Sequence, residues 1–565
     1  MPELVSRLAG RLPLQFRVLH RQFLLRVIDL ESLSIQADIP RFLGQFAGIL
    51  IMFSVIQSVG FLMALAAAPR NPIILIWSTE QRLISTMMLV AGLTAVASWD
   101  NIFPDRRDAM ILGPLPVRPR TILVAKAAAC AAIVGLGILA LNSFTGLLVP
   151  SALGGVAHLP RALAAYWLTM IAASVFSYGS LLTIQGFMAL LPRRLFLRLS
   201  AFLQIAAFGI LMSVYFLEPT LPTTAALKAA NVQWVLASNP SYWFFALFNQ
   251  LSGTLPPSFT WLAARAWMGL AAAALGATAS LLLCYLRTMR KTVEEPDLVP
   301  AARGFHWHLL FGSRLQTAIL LFGLRSLTRS RQHRLAFAFY LSVVLAIALS
   351  WLHANLSAAA PRPLGPDVLI ASFMMMTLAV FGLRNVFALP ISRTCNWVWR
   401  TTQLSPSEKY IAATRDSLFF LAALPVWIVS AALFLAFKPW SLVAAHLAIL
   451  ALFGWIFVEL SLIGFYKIPF TCSYLPGKVN LQLLFWSFVL VLSIFALSTA
   501  QYELRSLNHP VQYLLIAGAL SGVALGLWRY NSRHAKSAVL YFEELPPEII
   551  TTLGLTRDGV SIARL

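Results

Sequence analysis

The sequence predicts an all-α protein, a polytopic transmembrane helix bundle with about 12 spans in two pseudo-repeated halves. Composition, long apolar segments and the distribution of basic residues lead to this prediction. Hydrophobic residues make up 59% of the 565 residues and charged residues only 11%, whereas charged residues form about 25% of a typical soluble domain. A helix that crosses a bilayer needs about 20 mostly apolar residues, because it must satisfy its backbone polar groups internally.

Apolar segments of this length occur in two sets, separated by a long polar stretch. The predicted spans of the first half are residues 42–68, 83–99, 122–149, 162–191, 199–217 and 262–286. Those of the second half are residues 335–352, 368–388, 417–437, 442–464, 479–500 and 510–528. The complete division is therefore an arm at 1–41, spans within 42–286, a linker at 287–334, spans within 335–528 and a tail at 529–565.

Basic residues predict the orientation, because Lys and Arg are retained on the cytoplasmic side during insertion. With the amino terminus inside, most of the 43 basic residues fall in cytoplasmic segments. The exceptions are Arg70, Arg82, Arg161, Lys228, Arg265, Arg362, Lys438 and Arg505. Both termini are therefore expected in the cytoplasm, and the net charge of +22 is expected to face anionic lipids rather than nucleic acid.

The amino-terminal residues do not resemble a removable signal peptide, which has an apolar core followed by a small-residue cleavage site. We expect the first span to act as the insertion signal. Uncleaved insertion and a basic inner face are typical of a bacterial cytoplasmic (inner) membrane protein.

Each half begins with a basic, apolar stretch, at residues 14–31 and 315–334. In the first stretch Phe16, Leu19 and Phe23 recur at helical spacing, and arginines occupy other positions. This pattern predicts an amphipathic helix at the membrane interface. A simple juxtamembrane anchor is the alternative.

The cytoplasmic loop after the second span of each half, at residues 100–129 and 389–417, places a short apolar piece before a proline turn. Proline cannot continue a helix interior, so these loops are expected to present a bent, exposed surface. The alternative is a loop that only reverses the chain. The candidate docking residues are Asp105, Arg106, Arg107, Asp108, Leu112, Pro114, Pro116, Trp397, Trp399 and Pro406.

With these features the chain resembles the permease subunit of export-type ATP-binding-cassette (ABC) transporters. Those permeases have six spans per half, an amphipathic helix before the first span and a coupling helix between the second and third. Residues 239–253 (NPSYWFFALFNQLSG) resemble the extracellular re-entrant region before the sixth span of the family, and their aromatic rings suit the membrane interface. The corresponding loop of the second half, at about residues 501–509, is too short for such a region.

The resemblance implies that two fused halves form one translocation unit, and that a separate ATP-binding subunit docks on the cytoplasmic loops. The chain itself has no phosphate-binding loop, because PGKV at residues 476–479 lacks the upstream glycine and the following Ser or Thr. We therefore expect no enzyme activity, catalytic residue, cofactor or metal in this chain. His306 and His308 lack the spacing that places two ligands on one helical face.

Ionisable residues at membrane depth are candidates for function. Glu459 lies within an apolar segment, and an arginine such as Arg384 is a possible partner. A structural bond between helices is the alternative interpretation. The apolar spans favour a hydrophobic or amphipathic cargo.

Three other functions remain open. A secondary, ion-coupled transporter also commonly has twelve spans and two repeats, but predicts broken helices or charges at the midplane. A membrane-embedded enzyme acting on lipid-like substrates predicts clustered His, Asp or Arg at one face. A membrane scaffold without transport activity predicts no particular motif.

Overall fold

A computed structural model of the chain describes residues 13–27, 39–67, 72–99, 110–218, 233–294, 313–356, 365–390, 406–471, 481–507 and 509–540. Within these residues the protein is helical and contains no strand. The prediction of an all-α, multi-pass membrane protein is confirmed.

Among its described residues, the first half has nine helices and a short 3-10 turn at Pro257–Phe259. The helices are α1 (Leu14–Val27), α2 (Ile39–Ala67), α3 (Pro72–Ala97), α4 (Pro119–Leu141), α5 (Thr145–Ala189), α6 (Arg193–Leu217), α7 (Gln233–Ser238), α8 (Pro240–Ser252) and α9 (Thr260–Glu294).

The second half continues with α10 (Arg314–Arg329), α11 (Arg331–Leu356), α12 (Pro366–Phe387), α13 (Ser407–Leu418), α14 (Leu424–Leu435), α15 (Trp440–Leu462), α16 (Leu481–Leu507) and α17 (Pro510–Ser537). A π-helical turn at Phe419–Ala423 joins α13 to α14, so that the two form one continuous rod. α1 and α10 are helical within the stretches where the sequence predicted amphipathic helices, residues 14–31 and 315–334.

Ten helical segments in the described part of the chain are long and apolar enough to cross a membrane. They are Leu43–Ala66, Pro119–Leu141, His158–Ala189, Pro257–Leu283, His333–Leu356, Pro366–Phe387, Ser407–Leu435, Trp440–Leu462, Phe488–Leu507 and Pro510–Ser537. The predicted spans at 83–99 and 199–217 are helical but are not among the ten. In α3 the apolar run begins only after Glu80 and Arg82, and in α6 the apolar part is confined to Phe202–Leu217.

The connection between the third and fourth predicted spans differs from the prediction, although the spanning part of α5, His158–Ala189, agrees with the fourth predicted span at 162–191. α4 ends at Leu141, and α5 then runs for 45 residues through the segment expected to be a loop. At 1.5 Å per residue such a helix is about 68 Å long, roughly twice the thickness of a bilayer core. The hydroxyl of Ser54 in α2 explains the early start, because it accepts the backbone N–H groups of Phe144 (3.1 Å) and Thr145 (3.2 Å).

Corresponding helices of the two halves make corresponding contacts. α5 packs against α3 and α9, and α15 packs against α12 and α17. At one end of the bundle, called the α1 end below, α1 packs against α4 and α10 packs against α13. The opposite end, called the α8 end, contains α7 and α8.

Among the described helices, the two halves meet along two main seams. In one seam α6 packs closely along α11, where the rings of Phe208 and Phe339 lie 6.1 Å apart. In the other seam α16 contacts α2 over a shorter length. Each half has its own apolar core: the larger core of the first half centres on α3, α5 and α8, and that of the second half on α12, α14 and α15.

Candidate functional site

The predicted docking loop of the first half forms a compact turn at residues 110–118. A helical turn at residues 110–112 is followed by hydrogen bonds from the Leu115 N–H to the Leu112 carbonyl (3.2 Å) and from the Val117 N–H to the Leu115 carbonyl (2.7 Å). Pro119 then occupies the first turn of α4, where its missing N–H costs nothing. The turn therefore has a defined shape next to a membrane span.

Helix α1 attaches to this turn through an apolar cluster. Leu19 and Phe23 of α1 are buried against Ile122 of α4, and Leu112 and Val117 of the turn pack on the same cluster. The buried ammonium of Lys126 lies 5.2 Å from the centre of the Phe23 ring, a favourable cation–π arrangement. Helix α1, the turn and α4 thus form one packed unit.

The outer surface of the turn is apolar and exposed. The exposed fractions of Met110, Ile111 and Leu115 are 58%, 64% and 49%, and Pro114 and Pro116 are also exposed. Of the predicted docking residues, Leu112 instead packs inward. Asp105, Arg106, Arg107 and Asp108 lie outside the described residues.

The second half repeats this arrangement in part. Ile319 of α10 is buried with Tyr410 and Ala413 of α13, and the Gln316 amide donates to the Asp416 carboxylate over 2.6 Å. Pro406 lies exposed just before α13. Trp397 and Trp399 lie outside the described residues.

A buried ion pair adjoins this second unit. Glu459 of α15 is fully buried, and Arg415 Nε of α13 lies 2.7 Å from Glu459 Oε1. This contact is poorly aligned for a hydrogen bond, so its attraction is mainly coulombic. Arg415 Nη2 lies 3.4 Å from Oε2, and Asn531 of α17 donates to Oε2 over 2.7 Å and to the Glu459 carbonyl over 2.8 Å. The carboxylate therefore joins α13, α15 and α17.

Arg415 is therefore a partner of Glu459 that the sequence did not indicate. The sequence had suggested an arginine such as Arg384. Arg384 Nε donates to the Ser461 carbonyl over 3.3 Å, and its guanidinium lies 5.4 Å from the centre of the Phe465 ring. Arg415 lies about two helical turns after the start of α13, in a segment (residues 389–417) that was predicted to be a cytoplasmic loop.

A second carboxylate is held at the α8 end of the first half. Glu218, directly after α6, accepts hydrogen bonds from Gln81 (3.1 Å) and Ser85 of α3, and from Asn239 (3.1 Å) and Ser241 at the start of α8. Asn239 also caps α8 by accepting the Ser241 N–H over 3.2 Å. Glu218 thus fastens α3, α6 and α8 together.

Burial raises the pKa of Glu218, because it disfavours the charged carboxylate. Hydrogen bonds from Ser85, Gln81 and Asn239, together with the charge of Arg82, act in the opposite direction. The net effect is a carboxyl group that takes up a proton more readily than an exposed glutamate.

Helix α8 matches the segment in which the sequence indicated a re-entrant region. Three of the four aromatic side chains at residues 242–245, however, are buried within the protein rather than at a lipid interface: Tyr242, Phe244 and Phe245 are at most 6% exposed, whereas Trp243 is half-buried. Gly253 ends the helix in a left-handed conformation (φ 87°) that favours glycine. In the second half α16 ends at Leu507 and α17 begins at Pro510, which confirms the short connection there.

The second half holds its own polar array at the α8 end. Ser372 Oγ of α12 lies 2.9 Å from His446 Nε2 of α15, and His446 Nδ1 lies 2.6 Å from Glu503 Oε1 of α16. All three residues are at most 6% exposed. The order of groups resembles a hydrolase triad, but Ser372 is fully buried in a helix interior, where no free backbone N–H could stabilise an oxyanion.

Glu459 could be identified from the sequence, whereas Glu218, His446 and Glu503 could not. Each of these three lies near the end of an apolar segment, where an ionisable residue looks like an ordinary boundary. Their partners are distant in sequence: 137 positions separate Gln81 from Glu218, and 57 separate His446 from Glu503. Only the folded arrangement brings them together.

Comparisons with protein-family models, with curated proteins and with solved structures find no match for this chain.

Proposed function

We propose that the chain is the membrane-spanning permease subunit of an ATP-driven ABC-type exporter, coupled to a separate ATP-binding subunit. The observation that carries this proposal is the exposed apolar surface of the 110–118 turn, which is packed on α1 and continuous with α4. Force applied at this surface reaches a membrane span directly. The α1 end would then face the cytoplasm of a bacterium, as the distribution of basic residues predicts.

The contacts within each half support a two-fold pseudo-symmetric unit. The pairs α1–α4 and α10–α13, α3–α5 and α12–α15, and α5–α9 and α15–α17 occupy equivalent positions in the chain order. The two seams are equivalent in the same way. Each packs the fifth span of one half (α6 or α16) against the first span of the other half (α11 or α2). A path for a hydrophobic or amphipathic cargo would run between the halves, between these seams.

The test is capture of the partner. The tagged protein, extracted with a mild detergent, should carry a subunit that binds and hydrolyses ATP in fixed proportion. Ile111→Glu and Leu115→Glu should each remove that subunit without lowering the unfolding temperature, because both side chains are exposed. Trp234→Glu is the matched control, since Trp234 is 71% exposed but lies at the α8 end.

A chain that purifies alone and transports cargo with a proton or sodium gradient would overturn the proposal. That result would favour the ion-coupled transporter, for which one observation exists. Glu80 is 2% exposed, and its Oε1 has no hydrogen-bond partner among the described residues. Asn249 donates to the other oxygen over 3.4 Å.

A further inference from the structure

The last turns of α17 contact the protein more closely than the rest of this helix. Most of α17 is exposed, as at Leu515, whose side chain is 68% exposed. Near the carboxyl end Asn531 donates to Glu459 of α15, and the carbonyl of Ala535 accepts the hydroxyl of Ser407 of α13 over 2.9 Å. These contacts hold the carboxyl end of α17 against α13 and α15 at the α1 end.

The opposite side of the same turns carries three basic residues, called the basic face below. They are Arg529, Arg533 and Lys536, and all three are exposed. At about 100° per residue their side chains leave the helix within an arc of about 60°, whereas Asn531 and Ala535 lie on the other side. In the described part of the chain, no ion pair or side-chain hydrogen bond involves the basic face. Because the contacts of the other side fix the rotation of α17, the basic face points away from the protein.

The basic face lies at the level of the lipid headgroups. A bilayer core about 30 Å thick takes up about 20 helical residues, which from Pro510 reaches Arg529. Trp528 and Tyr530 are 39% and 47% exposed at this level, and aromatic rings of this kind gather at the membrane interface. The other two basic residues follow within two helical turns, so the basic face adjoins the bilayer surface.

The spacing of the basic face is unfavourable for the helix unless an anion neutralises it. Arg529 and Arg533 are four positions apart, and Lys536 is three positions beyond Arg533. Side chains at these separations are neighbours on a helix surface, and like charges there repel each other. An anion bound between them replaces this repulsion by attraction.

Toward the bilayer centre, the same side of α17 has a row of glycines. Gly518, Gly522 and Gly526 precede the basic face at four-residue spacing, on the side of the helix that the basic face occupies. A first side-chain carbon added at any of them would meet no neighbouring helix of the described chain within 4 Å. Without side chains, an apolar chain can approach the helix backbone closely here. The glycines alone specify no ligand, and the basic face supplies the chemical selectivity.

We infer that the basic face of α17 binds the phosphate headgroup of an anionic phospholipid, whose acyl chain lies along the glycines. Charge complementarity favours this occupant, because arginine and lysine pair with phosphate oxygens. The α1 end is predicted to face the cytoplasm, and the cytoplasmic leaflet has a negative surface potential. A second copy of the chain, packed on this side of α17, would instead bring two basic faces together. The inference requires only that α17 crosses the bilayer, and does not depend on an ATP-binding subunit.

The test is lipid binding by the full-length protein in a neutral detergent, measured by native mass spectrometry during titration with phosphatidylglycerol. Arg533→Gln should weaken the tightest binding about fivefold, as expected for one basic residue near a membrane surface. The triple variant Arg529→Gln, Arg533→Gln and Lys536→Gln should weaken it about a hundredfold, if the three contributions add. Phosphatidylcholine, which has no net charge, should bind wild type and variants equally weakly. Arg505→Gln, at an exposed arginine of α16 at the α8 end, is the matched control and should bind phosphatidylglycerol like wild type.

A local measurement separates this surface from other basic parts of the protein. Hydrogen exchange in the last turns of α17 should slow when phosphatidylglycerol is added to wild type, because a ligand of the folded state stabilises the region that it contacts. The triple variant should show no such slowing. Gly522→Leu keeps the basic face but fills the space beside the backbone, so it should weaken phosphatidylglycerol binding without abolishing it. Inorganic phosphate should not slow the exchange of wild type, since it has no acyl chain.

Equal phosphatidylglycerol binding by wild type and the triple variant would overturn the inference. Slowing of exchange by inorganic phosphate would also overturn it, because the ligand would then be a soluble anion. A third contradicting result is a triple variant that binds lipid like wild type but loses a co-purified protein or dissociates from a dimer. That result would assign the basic face to a protein partner.

Discussion

At the scale of single residues, Glu459 is a carboxylate that lies within the helix bundle beside an arginine. It is fully buried, and Arg415 supplies the nearby positive charge. Removal of one member of a buried pair is costly because the other charge remains without compensation. The pair therefore specifies how α13, α15 and α17 fit together.

Arg415→Ala should lower the free energy of unfolding by about 3 kcal/mol, the lower end of the range for breaking a buried ion pair. The double variant Arg415→Ala with Glu459→Gln should recover part of this loss, because a neutral amide no longer needs the guanidinium. Denaturant unfolding in detergent measures both. Additive losses in the double variant would contradict the expected coupling.

The raised pKa of Glu218 predicts the direction in which the stability of the folded protein changes with pH. Burial raises its pKa in the folded protein, so the protonated carboxyl stabilises the folded state. This contribution is complete below the pKa of the unfolded chain and is lost as pH rises through the raised folded value.

Glu218→Gln should remove this component, so that its unfolding temperature changes less with pH than that of wild type in the range above about pH 4. The measurement is a series of thermal unfolding curves in detergent. Glu408→Gln, at a half-buried glutamate of α13 for which no buried hydrogen-bond cluster is described, serves as the control. Identical pH profiles for wild type and Glu218→Gln would show that burial of this carboxyl does not affect stability.

Contacts between individual side chains were harder to predict from the sequence than the helices or the class of fold. Glu459 stood out in the sequence because it interrupts a strongly apolar segment, but its partner did not. Arg415 and Arg384 both precede or end spans in the same half, and only the position of α13 against α15 distinguishes their contacts. His446 and Glu503 each looked ordinary, since the pair exists only after two spans have packed.

At the scale of elements, the helical spacing of Phe16, Leu19 and Phe23 predicted a helix where α1 is found, and the similar basic, apolar stretch of the second half contains α10. In both helices one apolar face packs on the neighbouring span, as a helix with one apolar stripe must. The length of α5 was not predictable in the same way. Its start depends on the hydroxyl of Ser54, 90 positions earlier in the chain, which accepts its first N–H groups.

Phe23→Ala tests the attachment of α1 to the 110–118 turn. Phe23 is 5% exposed, and truncation of a buried phenylalanine costs about 3 kcal/mol. This loss should fall on the local contact, so hydrogen exchange in α1 should accelerate while the spans stay protected. Val18→Ala, at a residue 53% exposed on the same helix, should leave exchange unchanged. Equal exchange in the two variants would argue against the packed unit.

At the scale of the whole molecule, the sequence correctly predicted the class of protein, because the number and length of apolar segments reflect the bilayer itself. It could not predict how the halves meet. The seams join residues of two apolar faces, such as Phe208 and Phe339, that do not differ in character from residues facing lipid.

A pair of cysteines can test the closer seam. A side chain added at Gly209 of α6 would place its first carbon 4.0 Å from Ser342 Oγ of α11, so the two positions face each other across the seam. In a background without the four native cysteines, Gly209→Cys with Ser342→Cys should form a disulfide on oxidation. A protease site inserted within residues 295–312 then gives the readout. After cleavage and denaturation, the two halves should separate only once the disulfide has been reduced.

Neither single variant should hold the cleaved halves together. Halves that separate without reduction in the double variant would mean that α6 and α11 do not adjoin in the membrane. If the proposed function is correct, oxidation should also slow transport, and reduction should restore it.

Glu218 and Glu503 are held by different kinds of side chain. Under the proposed two-half arrangement this difference has an evolutionary consequence. When two copies of one chain pair, every substitution appears twice, and a change that suits one copy is imposed on the other. A fused gene removes this restriction, and each half can then diverge alone. One carboxylate is held by amides and hydroxyls, and the other contacts an imidazole. Under that arrangement the first half serves as a built-in comparison for the second.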